Sequence, residues 1–586
     1  MSRDTVVLAH TDIDAARADI VDRMMHAWQG RFTQSISPAA LMMAFVDWSV
    51  HLANAPGKRA ILMEKWARKW TRLAIYASHA AADPGCGPCI EPLPQDRRFG
   101  DPAWKQAPFN VISQAFLLQQ QWWFNATSDV RGVSPRHERT VEFVMRQILD
   151  VFSPSNFPLT NPEVLQRTRD EQGSNLQRGM QYLIEDWQRV AAGKKPLGAE
   201  NFAVGEKVAI TPGKVVYRNE LIELIQYAPA TPDVYPQPIL IVPAWIMKYY
   251  ILDLSPENSL VRYLVEHGFT VFMISWCNPT AEQRDLSMED YRNQGIMAAL
   301  KVIGAICPEQ KIHACGYCLG GTLLSIAAST MARDGDDRLQ SLTLLAAETD
   351  FTEAGELTLF LDSSQVSYLE DIMWEQGYLD TKQMSGAFQL LRSNDLIWSQ
   401  GVQQYLKGER SPMSDLMAWN ADATRMPYRM HSEYLRRLFM ENQLASGHYR
   451  VEGRPIALTD IDVPVFAVAT RTDHVAPWHS VYKIHLLVEA SIQFVLTSGG
   501  HNAGIVSEPG HHGRSYQINH SDAGMRYIDP DTWEAVTPIE QGSWWPRWID
   551  WLGSHSSARA APPPMGAAEK NFPPLADAPG RYVLEE

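Results

Sequence analysis

The residues best placed to do chemistry surround Cys318. Gly316, Tyr317, Cys318, Leu319 and Gly320 follow a β-like run and precede a helix-like one. This pattern is the G-x-S-x-G nucleophile elbow with cysteine in the serine position. The glycines permit a very sharp turn, and the following helix N-terminus helps to stabilise a thiolate. The segment predicts a cysteine nucleophile; a glycine-rich turn around an ordinary buried cysteine is the alternative.

The partners of such a nucleophile follow it in the order acid, then base. Asp473 comes directly after the apolar run 463–469, and His501 lies among glycines after the run 492–497, which we take as the last strand. Both side chains would then lie at the carboxyl ends of strands, where α/β sheets bind ligands. We therefore predict a triad of Cys318, Asp473 and His501.

Other acidic residues and histidines compete for these two roles. Asp460 and Asp462 precede their strand and would lie at the wrong end of the sheet. His474 is next to the predicted acid and could support it without touching the substrate. His511 and His512 lie further along the chain and are candidates for the surface.

A cysteine in this position favours one class of reaction. Attack of a thiolate on a thioester exchanges one thioester for another, so the acyl group stays activated on the enzyme. The acyl group can then pass to an alcohol if water is kept out. The elbow cysteine therefore suits acyl transfer from a thioester to a hydroxyl, while a cysteine hydrolase stays compatible with the elbow alone.

A second cysteine pattern has a different meaning. Cys86-Gly-Pro-Cys89 matches the sequence of a thioredoxin redox site, which requires a preceding strand and a following helix. Here the pair lies in a Pro/Gly-rich connector between helical blocks, which disfavours a redox role. A four-cysteine zinc site with Cys315 and Cys318 would consume the nucleophile, so we predict no metal.

Composition excludes several classes of protein. The 586 residues carry a net charge of −15, which disfavours a general nucleic-acid binder. We find no secretory signal and no uninterrupted apolar run of about 18 residues, so we expect no transmembrane segment. Six cysteines in a chain of this length do not form a disulfide scaffold, and a reducing cytoplasm is the simplest setting.

Hydrophobic periodicity divides the chain into segments. Residues 1–200 predict a helical N-terminal domain, and residues 201–555 alternate strands with helices, which indicates an α/β fold with a mostly parallel central sheet. The alternation lapses at about 351–463, where we predict a helical lid insertion. The Ala/Pro-rich tail 556–586 is expected to be loose. The predicted strands are 214–217, 222–227, 239–242, 270–275, 311–316, 342–346, 465–469 and 493–497.

Beyond the elbow, further motifs carry a resemblance to a known family. From about residue 96 to its end the chain resembles the polyhydroxyalkanoate synthases, in particular their single-chain class I branch. That family has the α/β-hydrolase fold. The similar segments are 101–104, 154–162, 243–254, 316–321, 394–398, 419–424, 470–478, 542–546 and 578–582.

The resemblance implies a reaction and residue roles. The substrate would be an (R)-3-hydroxyacyl-CoA, and the products a storage polyester and free CoA, with no further cofactor. Cys318 would carry the growing chain as a thioester, and His501 would deprotonate it. Asp473 would orient His501 or assist deprotonation of the attacking 3-hydroxyl. The Leu319 N–H would be one oxyanion donor, with the loop after Val242 as a candidate for the second.

The resemblance also implies a setting for the enzyme. It suggests a homodimer at the surface of polymer granules in the cytoplasm, with no nucleic acid as partner. Asp253 matches a family position near the site and would have a structural role. One departure is visible: the family commonly has an aliphatic residue after the catalytic histidine, followed by Asn-Pro-Pro, whereas this chain reads His501-Asn502-Ala-Gly.

Two alternatives to a synthase stay open at this point. A thioesterase or esterase of the same fold would use the same triad and release CoA without making polymer. A granule-associated scaffold with weak activity would not depend on Cys318. The intact placements of Cys, Asp and His disfavour the scaffold.

Overall fold

The computed structural model describes residues 3–83, 85–381, 383 and 397–586, with side chains described from residue 17 onward except that of residue 360. Residues 394–396, which begin one of the similar segments of the predicted insertion, lie outside the described residues.

The chain forms two compact units. The sheet unit comprises Met1–Gln29, Gly198–Thr381 and Met413–Glu586, and the helical unit comprises Gly30–Leu197 and Lys382–Pro412. Part of the predicted insertion thus belongs to the helical unit. The sequence boundaries near residues 200 and 555 stay predictions.

The part of the chain that precedes the first strand of the sheet is mainly helical. Three of them start with a Ser or Asn whose side chain accepts a backbone N–H, followed by Pro at the first helical position. This combination is the usual signal for a helix start, because it satisfies a free N–H and presets the backbone angle. The helices are α1 (Arg3–Thr33), α2 (Pro38–Ala53), α3 (Pro56–Ala82), α4 (Phe109–Thr127), α5 (Pro135–Val151), α6 (Pro162–Asp170) and α7 (Ser174–Ala191).

The inserted piece of the helical unit packs on α7. The side chain of Asn175 donates to the Leu406 carbonyl at 2.8 Å. Arg410 pairs with Glu185 and with Asp186, each at 2.7 Å. Contacts over more than 200 residues of sequence therefore hold this piece to the helices.

Within the part of the chain that the structure describes, the sheet unit contains an eleven-stranded sheet. Its strands are β1 (Gly213–Arg218), β2 (Ile222–Tyr227), β3 (Tyr235–Val242), β4 (Phe269–Trp276), β5 (Ile312–Tyr317), β6 (Leu339–Leu345), β11 (Val465–Thr470), β12 (Ile492–Thr497), β13 (Ser515–Ser521), β14 (Ile539–Gln541) and β15 (Ala576–Asp577), and short pairs are formed by β7 (Tyr378–Leu379) with β8 (Met426–Pro427) and by β9 (Arg450–Val451) with β10 (Arg454–Pro455).

The order of the strands in the large sheet is β14-β13-β12-β11-β6-β5-β3-β4-β2-β1-β15. Strands β4, β3, β5, β6, β11 and β12 run parallel, and both edges are antiparallel.

Further helices cover the sheet and form the insertion. Every residue of β4, β5 and β11 is buried, as expected for parallel strands covered on both faces. The helices are α8 (Leu260–Glu266), α9 (Met288–Asp290), α10 (Ala298–Ile306), α11 (Leu319–Asp334) and α12 (Ser363–Gln376), followed by Ser399–Gly401, Asp415–Asn420, Tyr428–Glu433, Trp478–Tyr482, Ile484–Leu487, Pro530–Val536 and Trp545–Ser554, with π-helical turns at Tyr291–Met297, Val402–Leu406 and Tyr434–Met440.

All eight predicted strands are present, but two expectations about the end of the chain are wrong. β12 is not the last strand, because β13 and β14 extend the sheet beyond it. The tail is not loose: β15 pairs with β1, and Tyr582 and Val583 are buried. The composition of the tail does not predict that it is ordered, because the residues that it contacts lie more than 300 residues earlier in the chain.

Among the described residues, we find no single helix with the length and apolar content needed to cross a bilayer. The pair Arg17–Thr33 and Pro38–Ala53 meets those criteria only when its two members are taken together.

Candidate active site

The turn at Cys318 joins β5 directly to α11. Cys318 has φ 52° and ψ −123°, and Leu319 is the first residue of the helix. Such a left-handed backbone costs about 1–3 kcal/mol in a residue with a side chain, so the surrounding contacts must hold it. One of them is a hydrogen bond of 2.9 Å from the Cys318 N–H to the Leu345 carbonyl. The predicted strand–turn–helix geometry is confirmed.

The glycines of the elbow are required by close backbone contacts. A Cβ on Gly316 would lie 2.4 Å from the Cα of Gly321. A Cβ on Gly320 would lie 2.1 Å from the Val242 carbonyl oxygen and 2.6 Å from that of Pro243. Real Cβ atoms do not come so close to backbone atoms, so no larger residue fits at either position without displacing the elbow.

The predicted acid, Asp473, lies in the loop after β11. Its Oδ1 accepts the N–H groups of Val475 at 2.8 Å and Ala476 at 2.9 Å. Its Oδ2 accepts the hydroxyl of Thr470 at 2.8 Å. The side chain is 0% exposed, so the carboxylate is held by its own loop and is shielded from solvent.

The predicted base, His501, lies in the loop after β12 and faces this carboxylate. Its Nδ1 is 2.8 Å from Asp473 Oδ2, and its side chain is 10% exposed. The charge of Cys318 also acts on the ring, so the elbow sulfur lies close to it. Because Nδ1 binds the carboxylate, Nε2 is the nitrogen available to the thiol. The structure thus brings together the three residues of the predicted triad.

The charges at this site favour a protonated imidazole. Burial by itself would lower the pKa of His501, but the charges of Asp473 and Cys318 and the hydrogen bond with Asp473 raise it well above its usual value. Burial would raise the pKa of Asp473, but the charge of His501 and the hydrogen bonds to the carboxylate lower it. The site therefore stabilises a carboxylate at Asp473 beside an imidazolium at His501.

The predicted oxyanion donor lies at the start of α11. The N–H of Leu319 belongs to the first turn of the helix, where N–H groups lack partners within the helix. The carbonyls of Val242 and Pro243 pack against the neighbouring Gly320. This contact places the loop after β3 beside the elbow, where the second donor was expected.

The two supporting residues of the prediction have separate surroundings. Asp253 is 1% exposed and accepts the hydroxyls of Ser259 at 2.6 Å and Thr211, with Tyr227 at 3.4 Å. These bonds satisfy the buried carboxylate within the fold, in agreement with a structural role. His474 directly follows Asp473, and its carbonyl packs against Gly355.

The competing residues lie at the surface. Asp460 and Asp462 are exposed and precede β11, and His512 is exposed as well. His511 is exposed and contacts Glu508 at 2.7 Å. Among the residues that the structure describes, no group of three or more His, Cys, Asp or Glu side chains is arranged to hold a metal.

Sequence reasoning missed one buried acidic residue at the site. Glu348 is 6% exposed, and its Oε1 has no hydrogen-bond partner within the described part of the chain. Burial and the nearby charge of Asp473 raise the pKa of Glu348 well above its usual value, and the neighbouring Ser480 and the charge of His501 reduce this shift. Glu348 follows β6 closely and so lies at the carboxyl ends of the strands, as Asp473 and His501 do. This position is the signal that could have identified it.

Family models match most of the chain. The model described as poly-beta-hydroxybutyrate polymerase (PhaC) N-terminus matches residues 95–264, and the alpha/beta hydrolase fold model matches residues 237–508. A third model, poly-beta-hydroxybutyrate polymerase N terminal, matches residues 16–58, which the sequence resemblance did not reach. The predicted α/β-hydrolase fold and the predicted family are both confirmed.

Curated relatives are similar over nearly the whole length. The poly(3-hydroxyalkanoate) polymerase of Methylorubrum extorquens is 42% identical over 529 residues, 89% of this chain and 85% of the relative. The polymerase subunit PhaC of Cupriavidus necator is 37% identical over 565 residues, 95% of this chain and 93% of the relative. That of Rhizobium meliloti is 37% identical over 526 residues, 89% and 83% respectively.

Proposed function

The chain belongs to the poly(3-hydroxyalkanoate) polymerase family, and from this membership we propose that Cys318, His501 and Asp473 form its catalytic triad. It is an enzyme of polyhydroxyalkanoate synthesis. The observation that carries the triad is the 2.8 Å contact between His501 Nδ1 and Asp473 Oδ2, with the charge of Cys318 acting on the same ring. The substrate we propose is an (R)-3-hydroxyacyl-CoA.

The first half of the reaction loads Cys318. Nε2 of His501 takes the thiol proton, and the thiolate attacks the carbonyl carbon of the acyl-CoA. The bond from that carbon to the CoA sulfur breaks, and the imidazolium returns its proton to the leaving sulfur. The N–H of Leu319 stabilises the oxyanion between these steps. CoA leaves, and the acyl group stays on Cys318 as a thioester.

The second half extends the polyester. His501 takes the proton of the 3-hydroxyl of a second acyl-CoA, and that oxygen attacks the acyl-thioester at Cys318. The carbon–sulfur bond breaks, an ester forms, and the imidazolium protonates the released Cys318 sulfur. The extended chain is then a thioester of the second CoA and loads Cys318 again by the first half of the reaction. Because the exchange of thioester for thioester keeps the acyl group activated, this step requires no other energy source.

Of its two candidate roles, we assign Asp473 the orientation of His501. Both oxygens of its carboxylate already accept hydrogen bonds, from two backbone N–H groups and from Thr470 and His501. The side chain has no exposed surface from which it could reach a substrate hydroxyl. A buried carboxylate on Nδ1 fixes the imidazole and stabilises its charged form.

The same proposal includes residence at the surface of polymer granules in the cytoplasm, as a homodimer. The helical unit supports an apolar contact, because α2 and α3 expose large apolar side chains. Met42 is 66% exposed, Met63 68%, Trp66 49% and Trp70 53%. Exposed apolar groups in such number are typical of a surface that binds another apolar surface.

Purified enzyme with 3-hydroxybutyryl-CoA tests the nucleophile. We expect the Cys318→Ala variant to release no CoA and form no polymer, while its circular dichroism stays that of the unchanged protein. Cys315→Ala is the matched control, since Cys315 is a buried cysteine in β5 of the same segment. Polymer formation by the Cys318→Ala variant would contradict the proposal.

A further inference from the structure

Asn502 stands directly after His501, at the position where the sequence departs from the family pattern. It links two other segments of the sheet unit. The hydroxyl of Tyr317 donates to Asn502 Oδ1 at 2.6 Å. Asn502 Nδ2 donates to Asn420 Oδ1 at 3.3 Å. A chain of hydrogen bonds therefore runs from the elbow through the histidine loop to the insertion.

The Tyr317 end of this chain is buried beside the triad. Tyr317 is 2% exposed and immediately precedes Cys318. Its ring centroid lies 5.7 Å from that of His501, with the planes inclined by 34°. A phenol hydroxyl so deeply buried needs a hydrogen-bond partner, and Asn502 supplies it.

The other end of the chain is anchored as well. Asn420 ends the helix Asp415–Asn420, and the indole of the preceding Trp419 donates to the Lys248 carbonyl at 2.7 Å. On the histidine loop, the Asn502 carbonyl accepts the N–H of Val506 at 2.9 Å, so its backbone is fixed too. The Asn502 side chain therefore joins segments that are each held independently.

We propose that Tyr317 and Asn502 are positioning residues that hold the His501 loop against the nucleophile elbow, with Asn420 extending the link to the insertion. This inference deepens the proposed function and rests on it. Neither side chain takes part in bond making. Their hydrogen bond fixes the spacing between the loop that carries His501 and the strand end that carries Cys318, and catalysis is sensitive to that spacing.

Removing the Asn502 acceptor and removing the Tyr317 donor leave different polar groups without a partner. An Asn502→Leu substitution keeps the side-chain shape but leaves the Tyr317 hydroxyl buried without an acceptor, which is the costly case. A Tyr317→Phe substitution leaves only the Asn502 oxygen, which is half-buried and within reach of water. Replacing both polar groups by apolar ones of similar shape leaves no buried hydroxyl without an acceptor. The double substitution should therefore destabilise the fold less than Asn502→Leu alone.

The test measures kcat and KM for CoA release, together with the rate at which iodoacetamide alkylates the peptide containing Cys318. For Asn502→Leu we expect kcat and the alkylation rate to fall about 10-fold, with KM within about 2-fold. Adding Tyr317→Phe should recover part of the melting temperature but should lower neither rate further, because the hydrogen bond is already absent in Asn502→Leu. Asn420→Ala should lower kcat by less than Asn502→Leu, because its bond is longer and exposed.

Additive losses in the double variant would overturn the proposal. So would a kcat that recovers together with the melting temperature in the double variant, because a rate that follows stability indicates a purely structural role. If Asn502→Leu does not fold, Tyr317→Phe alone decides: an unchanged kcat and alkylation rate would refute the link. A wrong assignment of the triad would be detected separately, by CoA release from the Cys318→Ala variant.

Discussion

His501 lies between two groups that become negatively charged, and this position determines how it titrates. Burial disfavours the imidazolium, but the Asp473 carboxylate and the Cys318 sulfur favour it more strongly, and the pKa of His501 is raised. The imidazolium therefore persists to a higher pH than that of an ordinary histidine. This proton is the one that the leaving CoA sulfur takes in the proposed reaction.

The Asp473→Asn substitution should change both the rate and its pH dependence. It removes one of the two charges that raise the pKa of His501, so burial has more effect and the imidazolium loses its proton at lower pH. The alkaline limb of single-turnover CoA release should move to lower pH, with kcat reduced by about 10³- to 10⁴-fold. Asp460→Asn, at an exposed aspartate before the same strand, is the control and should change neither. An unmoved alkaline limb in Asp473→Asn would refute the assigned role.

Residue identity was predictable wherever a local pattern encodes it. Cys318, Asp473 and His501 follow from the elbow motif and from the order of nucleophile, acid and base along the chain. The contacts of Glu348 and Asn502 were not predictable. Their partners come from distant segments, and no local pattern specifies which side chains meet across a folded core.

At the scale of elements, the elbow depends on close packing between β3, β5 and the start of α11. The backbone of Val242 and Pro243 occupies the space that a side chain at Gly320 would need. By contrast, Gly304 in α10 is exposed, and a Cβ there would meet no atom within 4 Å. The two glycines form a matched pair, since both lie in helices and only one is required by packing.

We expect Gly320→Ala to lower the free energy of unfolding by about 1–3 kcal/mol and kcat by about 100-fold, because the elbow must shift to admit the methyl group. Gly304→Ala should leave kcat unchanged and stabilise the fold by up to about 1 kcal/mol, as alanine favours helix over glycine. Urea unfolding and CoA release measure both quantities. Equal effects of the two substitutions would show that the close contact at Gly320 has no special role.

The parallel strands were predictable, as were β1 and β2, but the sequence did not predict β13, β14 and β15 at the two edges of the sheet. Parallel strands buried on both faces leave continuous apolar runs in the sequence, which identified β3 to β6, β11 and β12. β13 carries polar residues such as Asn519 and His520 along its exposed half. β15 is only two residues long, and it is a strand because β1 offers it a free edge.

For the whole molecule, a net negative charge is combined with exposed apolar side chains. The chain carries a net charge of −15, yet large apolar side chains are exposed on α2 and α3 of the helical unit. Trp66 and Trp70 lie one helical turn apart, with ring centroids 6.0 Å apart. Substituting these two tryptophans by polar residues should therefore disrupt the apolar surface.

The Trp66→Ser/Trp70→Ser variant should lower the fraction of enzyme that sediments with polymer granules by about 10-fold, because two large apolar contacts are lost. Release of CoA from soluble substrate should be unchanged. Trp187→Ser, at a residue of α7 that is 69% exposed, is the control and should sediment normally. Unchanged sedimentation of the double variant would exclude this surface from granule binding.

The measurement that tests the central claim most directly is mass spectrometry of the protein after brief incubation with a 3-hydroxyacyl-CoA. The account predicts an added acyl mass on the peptide containing Cys318, absent from the Cys318→Ala variant and removed by hydroxylamine. CoA release without that adduct, or an adduct on another residue that the Cys318→Ala variant retains, would contradict it.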